Sequence, residues 1–357
     1  MTSNSSDTTD FVLEETQRSA VLDAVADTLN QYVFPDVAQQ LQADIQQRRA
    51  DQGYEDITGG EQLATVLTLQ LQELSGDRQL KVHFSPQPLP DLKPEATPTP
   101  EALATEKYQS SLRNFDINRV ERLRGNVGYL ELYGFEPPDF AGEAIAAAMT
   151  FVAHTQALII DIRHNRGGSP AMVALLCSYL LPAYPPTHLN DLYWRPDDST
   201  RQWWTVPYLN APRYLQKPVY LLTSQETFSA AEEFAYNLQV LKRAIIVGEH
   251  TAGGANPGQG YRLQEHFWMF VPTGQSINPV TQDNWAQTGI IPDVKVPAEL
   301  TLSTAHLMAL NRLLETEPTG PHFRELQRSM LMVERELNTK RADLISQLKQ
   351  PGGREVS

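Results

Sequence analysis

The stretch from Val219 to Gly260, VYLLTSQETFSAAEEFAYNLQVLKRAIIVGEHTAGGANPGQG, holds the residues best placed for chemistry. An apolar strand, VYLLTS, runs into the short turn QETF, which delivers Ser229 at the mouth of a helix, AAEEFAYNLQVL. A second strand, AIIVGE, follows and ends in a glycine-rich loop. A serine held in a strand-to-helix turn has its hydroxyl fixed in direction. The unbonded N–H groups of the first helical turn can stabilise an oxyanion beside it. Serine is also a favoured N-cap, so the position has a purely structural reading as well.

Three further segments keep the same company: GDRQL at 76–80, DIRHNRGG at 161–168 and NWAQTGIIPDV at 284–294. Together with TFSAAEEFAY and VGEHTAGGANPG, in this order, they resemble the C-terminal-processing (tail-specific) serine peptidases. The branch most similar holds the interphotoreceptor retinoid-binding protein repeats and the tricorn protease core. The resemblance runs from about Val21 to Pro297. It implies an α/β fold, a crotonase- or Clp-protease-like core of ββα units, preceded by a helical bundle. It also implies a serine-type peptidase, with no cofactor. The peptide-binding module often inserted in bacterial relatives has no room after GDRQL, where only a short Pro-rich linker follows.

Acyl transfer by serine needs a nucleophile, a base and oxyanion donors. Ser229 is the nucleophile on this reading. The backbone N–H groups of Ala230 and of Gly167 or Gly168 are the donors. The resemblance adds Asn165, Gly253, Gly254 and Trp285 as substrate-binding positions. The base departs from the family. Where relatives carry a histidine this chain has Gln79, and where they carry an acid it has Ala286. The lysine that the Ser–Lys members place in the Gly-rich loop is absent, and Asn256 stands where many relatives have histidine. Glutamine cannot take a proton at neutral pH.

Replacement bases are His83 and His250. His83 shares a strand face with Gln79 but lies about 13 Å along it. His250 follows the VGE strand end, and its alternative is an exposed loop histidine. Glu232 reads first as the capping-box partner of Ser229. Glu249 is an orienting acid or a strand-end ion pair. Two functions therefore remain: a serine hydrolase acting on peptides, or a family member with weak or lost catalysis that binds a peptide or an apolar, retinoid- or lipid-like ligand. Tyr193, Trp194, Trp203, Trp204, Tyr208 and Tyr214 either line a groove for such a ligand or pack a long insertion onto the core.

Composition narrows the classes. The 357-residue chain carries a net charge of −14, which argues against nucleic acid and anionic membranes as partners. The single Cys177 lies in the apolar run MVALLCSYLL and reads as core. It cannot form an internal disulfide, so nothing requires an oxidising compartment. No signal peptide is visible at the N-terminus, and no run of about 18 apolar residues suggests a membrane span. The expected location is cytoplasmic. The histidines are scattered without metal-ligand spacing. GEHTAGGANPGQG lacks the lysine and the following helix of a phosphate loop.

The elements that must position these residues follow from periodicity. Residues 1–75 form a helical bundle, with a polar, disordered start at 1–10. Its stripes are Val21, Val25, Leu29 and Val33; Ala38, Leu41 and Ile45; and Leu63, Val66, Leu67, Leu69, Leu71 and Leu74. Residues 76–124 hold a strand at 76–86 and a Pro-rich linker. Residues 125–300 alternate strand and helix, as an α/β core does. Strands are expected at 125–135 and 157–163, helices at 140–154 and 170–181, an ordered excursion or lid at 183–216, and a hairpin at 261–281. Residues 301–357 form a helical tail that frays at Pro351.

Overall fold

The computed structural model describes residues 12–90, 98–316 and 319–348. The expected disordered start, most of the Pro-rich linker and the fraying end lie outside them. The fold is mixed α/β, with a helical N-terminal region and a central mixed sheet. In chain order the helices are α1 (Glu15–Thr28), α2 (Pro35–Ala50), α3 (Gly60–Ser75), α4 (Pro100–Ser111), α5 (Pro138–Val152), α6 (Pro170–Leu180), α7 (Ala230–Val240), α8 (Ala298–Thr316) and α9 (Pro321–Leu348). The strands are β1 (Lys81–Phe84), β2 (Ile117–Leu123), β3 (Val127–Leu132), β4 (Ala157–Asp161), β5 (His188–Trp194), β6 (Ser199–Trp204), β7 (Val219–Thr223), β8 (Ile245–Gly248), β9 (Gly258–Gln264), β10 (Phe267–Pro272), β11 (Gly274–Ile277) and β12 (Val294–Lys295).

These elements make two compact units that are not consecutive in sequence. The first takes residues up to Pro98 together with Leu192–Arg201 and Asn256–Ser276; the second takes the remainder. The chain passes from one unit to the other at residues 98–99, 191–192, 201–202, 255–256 and 276–277.

In the first unit, α1, α2 and α3 do not close a core alone. They pack on the antiparallel sheet β1-β10-β9, and one cluster joins Val25, Leu41 and Leu67 to Val82, Phe267, Met269 and Val271. The third sequence stripe needs correction. Leu63, Leu67 and Leu71 are buried, but Leu69 and Leu74 are 62% and 45% exposed. At about 100° per residue, position 69 turns away from the face that 63, 67 and 71 share, whereas Leu74 stays on that face but lies in the last turn of α3, one residue before the helix ends.

The second unit is built on a six-stranded sheet of order β12-β8-β7-β4-β3-β2. All neighbours run parallel except β2 against β3. ALIID and VYLLT are apolar throughout because both faces are covered. Leu158, Ile160, Val219 and Leu221 face α5, α6 and α7, while Ile159, Tyr220 and Leu222 face α8 and α9. Each such side chain contributes about 1.5–3 kcal/mol on burial. β2, INRVERL, is an edge strand whose charged residues stay in solvent, which hid it from an apolar search. Cys177 is fully buried on α6.

Candidate active site

The turn between β7 and α7 places Ser229 at the N-cap of α7 with φ 55° and ψ −125°. A positive φ on a residue with a Cβ is strained, by about 1–3 kcal/mol, and persists only where surroundings enforce it. Those surroundings are visible. The backbone N–H of Ser229 donates to Glu232 Oε2 at 2.9 Å, and its carbonyl accepts from the N–H groups of Glu232 and Glu233. The loop after β4 runs alongside. Phe228 N–H donates to Asn165 O at 3.1 Å, and Thr227 Oγ1 donates to Ile162 O at 2.9 Å. Gly167, at φ 104°, lies so close that a Cβ there would sit 2.8 Å from Ser229 Cβ and 3.0 Å from Ala230 N. Only glycine permits this approach.

The expected oxyanion donors divide. Gly167 N–H is already engaged by Asn165 Oδ1 at 2.8 Å, so it is not available. The N–H groups of Gly168 and Ala230 have no acceptor among the described residues. Asn165 is fully buried, and its Nδ2 has no partner in the described structure.

Glu232 does more than cap the helix. Its carboxylate also accepts from Thr251 Oγ1, from Gly253 N–H at 2.7 Å and from Gly254 N–H at 2.9 Å. One side chain thus fastens the glycine-rich loop to the serine turn. Burial holds its carboxyl above the usual carboxylate range, and the four donors offset only part of that rise. Gly254 stands against the Phe228 ring, where a Cβ would come within 1.9 Å. Gly253 packs on the backbone of Gln287, and Gln287 N–H donates to Gly253 O at 3.0 Å. That second loop carries Trp285, buried with its Nε1 unpartnered, and Ala286. The next helical residue, Glu233, is fully buried, and burial raises its carboxyl to about 8 against a hydrogen bond from Asn190.

Gln79 and His83 belong to the first unit. Asp77 shapes their turn, accepting from Tyr32 Oη at 3.0 Å and from Gln79 N–H at 2.9 Å. Gln79 Oε1 accepts from Asn256 N–H at 3.4 Å. His83 stacks on Trp268 at 4.0 Å, and burial holds its imidazole below the usual range. His250 is half-buried after β8, with no hydrogen bond or ion pair among the described residues. Glu249 Oε2 accepts only a long bond from Gln225 N–H, 3.4 Å, so it neither orients a histidine nor forms an ion pair. Tyr193 and Trp194 belong to the first unit, while in the second Tyr214 is buried and Tyr208 is 80% exposed.

One histidine escaped the sequence reading. His164, in the loop that reaches Ser229, has Nδ1 3.6 Å from Glu226 Oε2, and both side chains are about half exposed. Arg166 approaches the same oxygen at 3.7 Å, and the Tyr133 ring lies edge-on to the imidazole. The histidine was visible within DIRHNRGG. Its carboxylate partner was not, because only the pairing of β4 with β7 lays the two loops side by side.

A serine on a strained strand-to-helix turn, at the carboxyl end of a parallel sheet, defines a hydrolase-like α/β protein. Residues 126–296 match peptidase family S41, and residues 12–117 match the N-terminal domain of peptidase S41 in eukaryotic IRBP. The two matches together span most of the chain, which belongs to peptidase family S41. The tail-specific protease of Haemophilus influenzae is 30% identical over 113 residues, covering 30% of this chain and 14% of that protein. Two solved structures share the fold. One is from Parabacteroides merdae, with TM-score 0.57 and 16% identity over 78% of this chain and 90% of that one. The other is the photosystem II D1 C-terminal processing protease, with TM-score 0.50 and 16% identity over 81% of this chain and 95% of that one.

Proposed function

We propose that the chain is a serine-type peptide hydrolase centred on Ser229, with slow turnover. The observation that carries this is the strained Ser229 backbone, pressed against Gly167 and flanked by the unengaged N–H groups of Gly168 and Ala230. In this reading the Ser229 hydroxyl attacks a peptide carbonyl, and those two N–H groups receive the developing oxyanion. The hydroxyl proton passes to a base and then to the leaving amine. His164, with Glu226 beside Nδ1, is the base of this proposal, since Gln79 cannot accept a proton. The S41 relatives are named for acting at protein tails, which supports peptide C-termini as the substrate class.

A second reading has its own support. Gln79 bonds a backbone N–H and Ala286 is a methyl, so neither family position carries proton chemistry. The chain then binds a peptide or an apolar ligand without cleaving it. A fluorophosphonate probe separates the two. Hydrolysis predicts labelling lost in Ser229→Ala and slowed at least tenfold in His164→Gln. No labelling of folded wild type above the Ser229→Ala background sinks the hydrolase reading. Labelling indifferent to His164→Gln removes only the assigned base.

A further inference from the structure

Ser229 lies beyond the carboxyl end of β7. The opposite end of the same sheet opens a cleft of about 710 Å³ where β4, β7 and β8 begin. Its apolar lining residues are Pro218, Val219, Tyr220, Ile245 and Leu313. Its walls carry four cations, Lys217, Lys242, Arg243 and Arg312, and among the described lining residues one carboxylate, Asp293. Asp293 is already used, since Oδ1 accepts from Gln239 and Oδ2 from Ile246 N–H at 2.7 Å. Such a concentration of positive charge is unexpected in a chain of net charge −14.

Part of it has a structural explanation. Lys217 Nζ donates to Ala153 O and Thr155 O, both at 2.9 Å, just past the end of α5. Arg243 donates to Leu180 O at the end of α6, and to Tyr214 O and Lys217 O. Cations at helix carboxyl ends complement the exposed carbonyls and the macrodipole. That account does not use up the cleft. Lys217, whose ammonium also lies 4.9 Å from the centroid of the Tyr214 ring, has one donor with no hydrogen bond, and Arg243 keeps two of its five. Neither has a carboxylate within bonding distance, and burial makes both charges harder to hold. The Lys242 ammonium makes no hydrogen bond or ion pair among the described residues, and the Arg312 guanidinium shares only Nη1, with the exposed Glu315.

We propose that this cleft is a binding site for a small organic anion, a phosphate- or carboxylate-bearing molecule with an apolar body. The anionic group takes the free donors of Lys242 and Arg312 at the rim and the spare donors of Lys217 and Arg243 further in. The apolar body lies on Pro218 and Ile245, the partly exposed apolar residues of the lining. The site is independent of hydrolysis at Ser229.

The test is fluorescence titration of the full chain with anilinonaphthalene sulfonate, an aromatic anion of suitable size. Saturable binding is expected, weakened at least tenfold in the Lys242→Ala/Arg312→Ala double variant. The neutral analogue phenylnaphthylamine should bind both proteins alike. Displacement by pyrophosphate points to a phosphorylated ligand, and displacement by octanoate to a carboxylate; either supports the site. Both substituted residues are on the surface, and a thermal melt checks that the variant folds. Equal sulfonate affinity in the folded variant and wild type, or no saturable binding to wild type, overturns the proposal.

Discussion

Replacing Glu232 by glutamine keeps its size but turns one acceptor oxygen into an NH2 group facing N–H donors. The carboxylate holds Ser229, Thr251, Gly253 and Gly254 at once, and bonds to a charged acceptor contribute about 1.5–3 kcal/mol each. Glu232→Gln is therefore expected to speed amide exchange at Gly253 and Gly254 at least tenfold, read by NMR, with smaller changes in β4. Unchanged exchange there would show that the loop is held by other contacts. Glu233 makes a pH prediction. Its carboxyl is raised from about 4.5 to about 8 in the fold, so the native state keeps a proton that the unfolded chain releases between those values. Stability should fall as pH rises through that window and level off above it, by a few kcal/mol in all. In Glu233→Gln this decline should be absent, and the variant should be more stable than wild type at pH 9. Urea titrations at pH 5, 7 and 9 measure both.

The elements explain why the serine turn tolerates its strain. β4 and β7 are parallel neighbours, and the loops leaving them interlock through Thr227, Phe228 and Gly167. Gly167→Ala would drive a Cβ into Ser229 and Ala230, and at φ 104° it adds backbone strain. A loss of about 1–3 kcal/mol is expected, together with labelling at least tenfold slower than wild type. Labelling at the wild-type rate would show that the contact does not aim the serine. The motif residues Asp161 and Arg163 serve the frame. Asp161 is buried at the end of β4 and pairs with Arg163 at 2.6 Å, while Tyr129 Oη donates to it. Arg163 Nη1 reaches Ala298 O at the start of α8. The N-terminal helices also depend on partners far along the chain. A protein starting at Thr99 would leave Leu263, Phe267, Met269 and Val271 without α1–α3 and β1 above them, so it should aggregate or bind hydrophobic dyes. A monomeric, dye-silent truncation would refute that dependence.

At the scale of the whole molecule, each unit has its own apolar cluster, around Leu67 in the first and Leu221 in the second. Leu67→Ala and Leu221→Ala, each costing about 2–5 kcal/mol, should lower different transitions in a calorimetric scan. One shared transition lowered equally by both would mean that the units unfold as a single cooperative block. Among the described residues no helix is long and apolar enough to cross a membrane.

Periodicity alone marked β4, β7, α6 and α7, because a strand buried on both faces is apolar without a break and a buried helix nearly so. The motif TFSAAEEFAY likewise located Ser229 at a helix start, since turn chemistry and capping are local. Local information could not show that residues 256–276 belong with the N-terminal helices, because β1–β10 pairing joins segments far apart in sequence. It could not show that Gly167 N–H is spent on Asn165, or that His164 meets Glu226, since both depend on how two loops settle against each other. Nor could it show Glu232 gathering four donors from two segments. The amino-acid sequence determined which residues can attack, cap and turn. The tertiary structure decided which N–H groups remain free and which cations face an open cleft, because those are settled by contacts between segments that the chain order keeps apart.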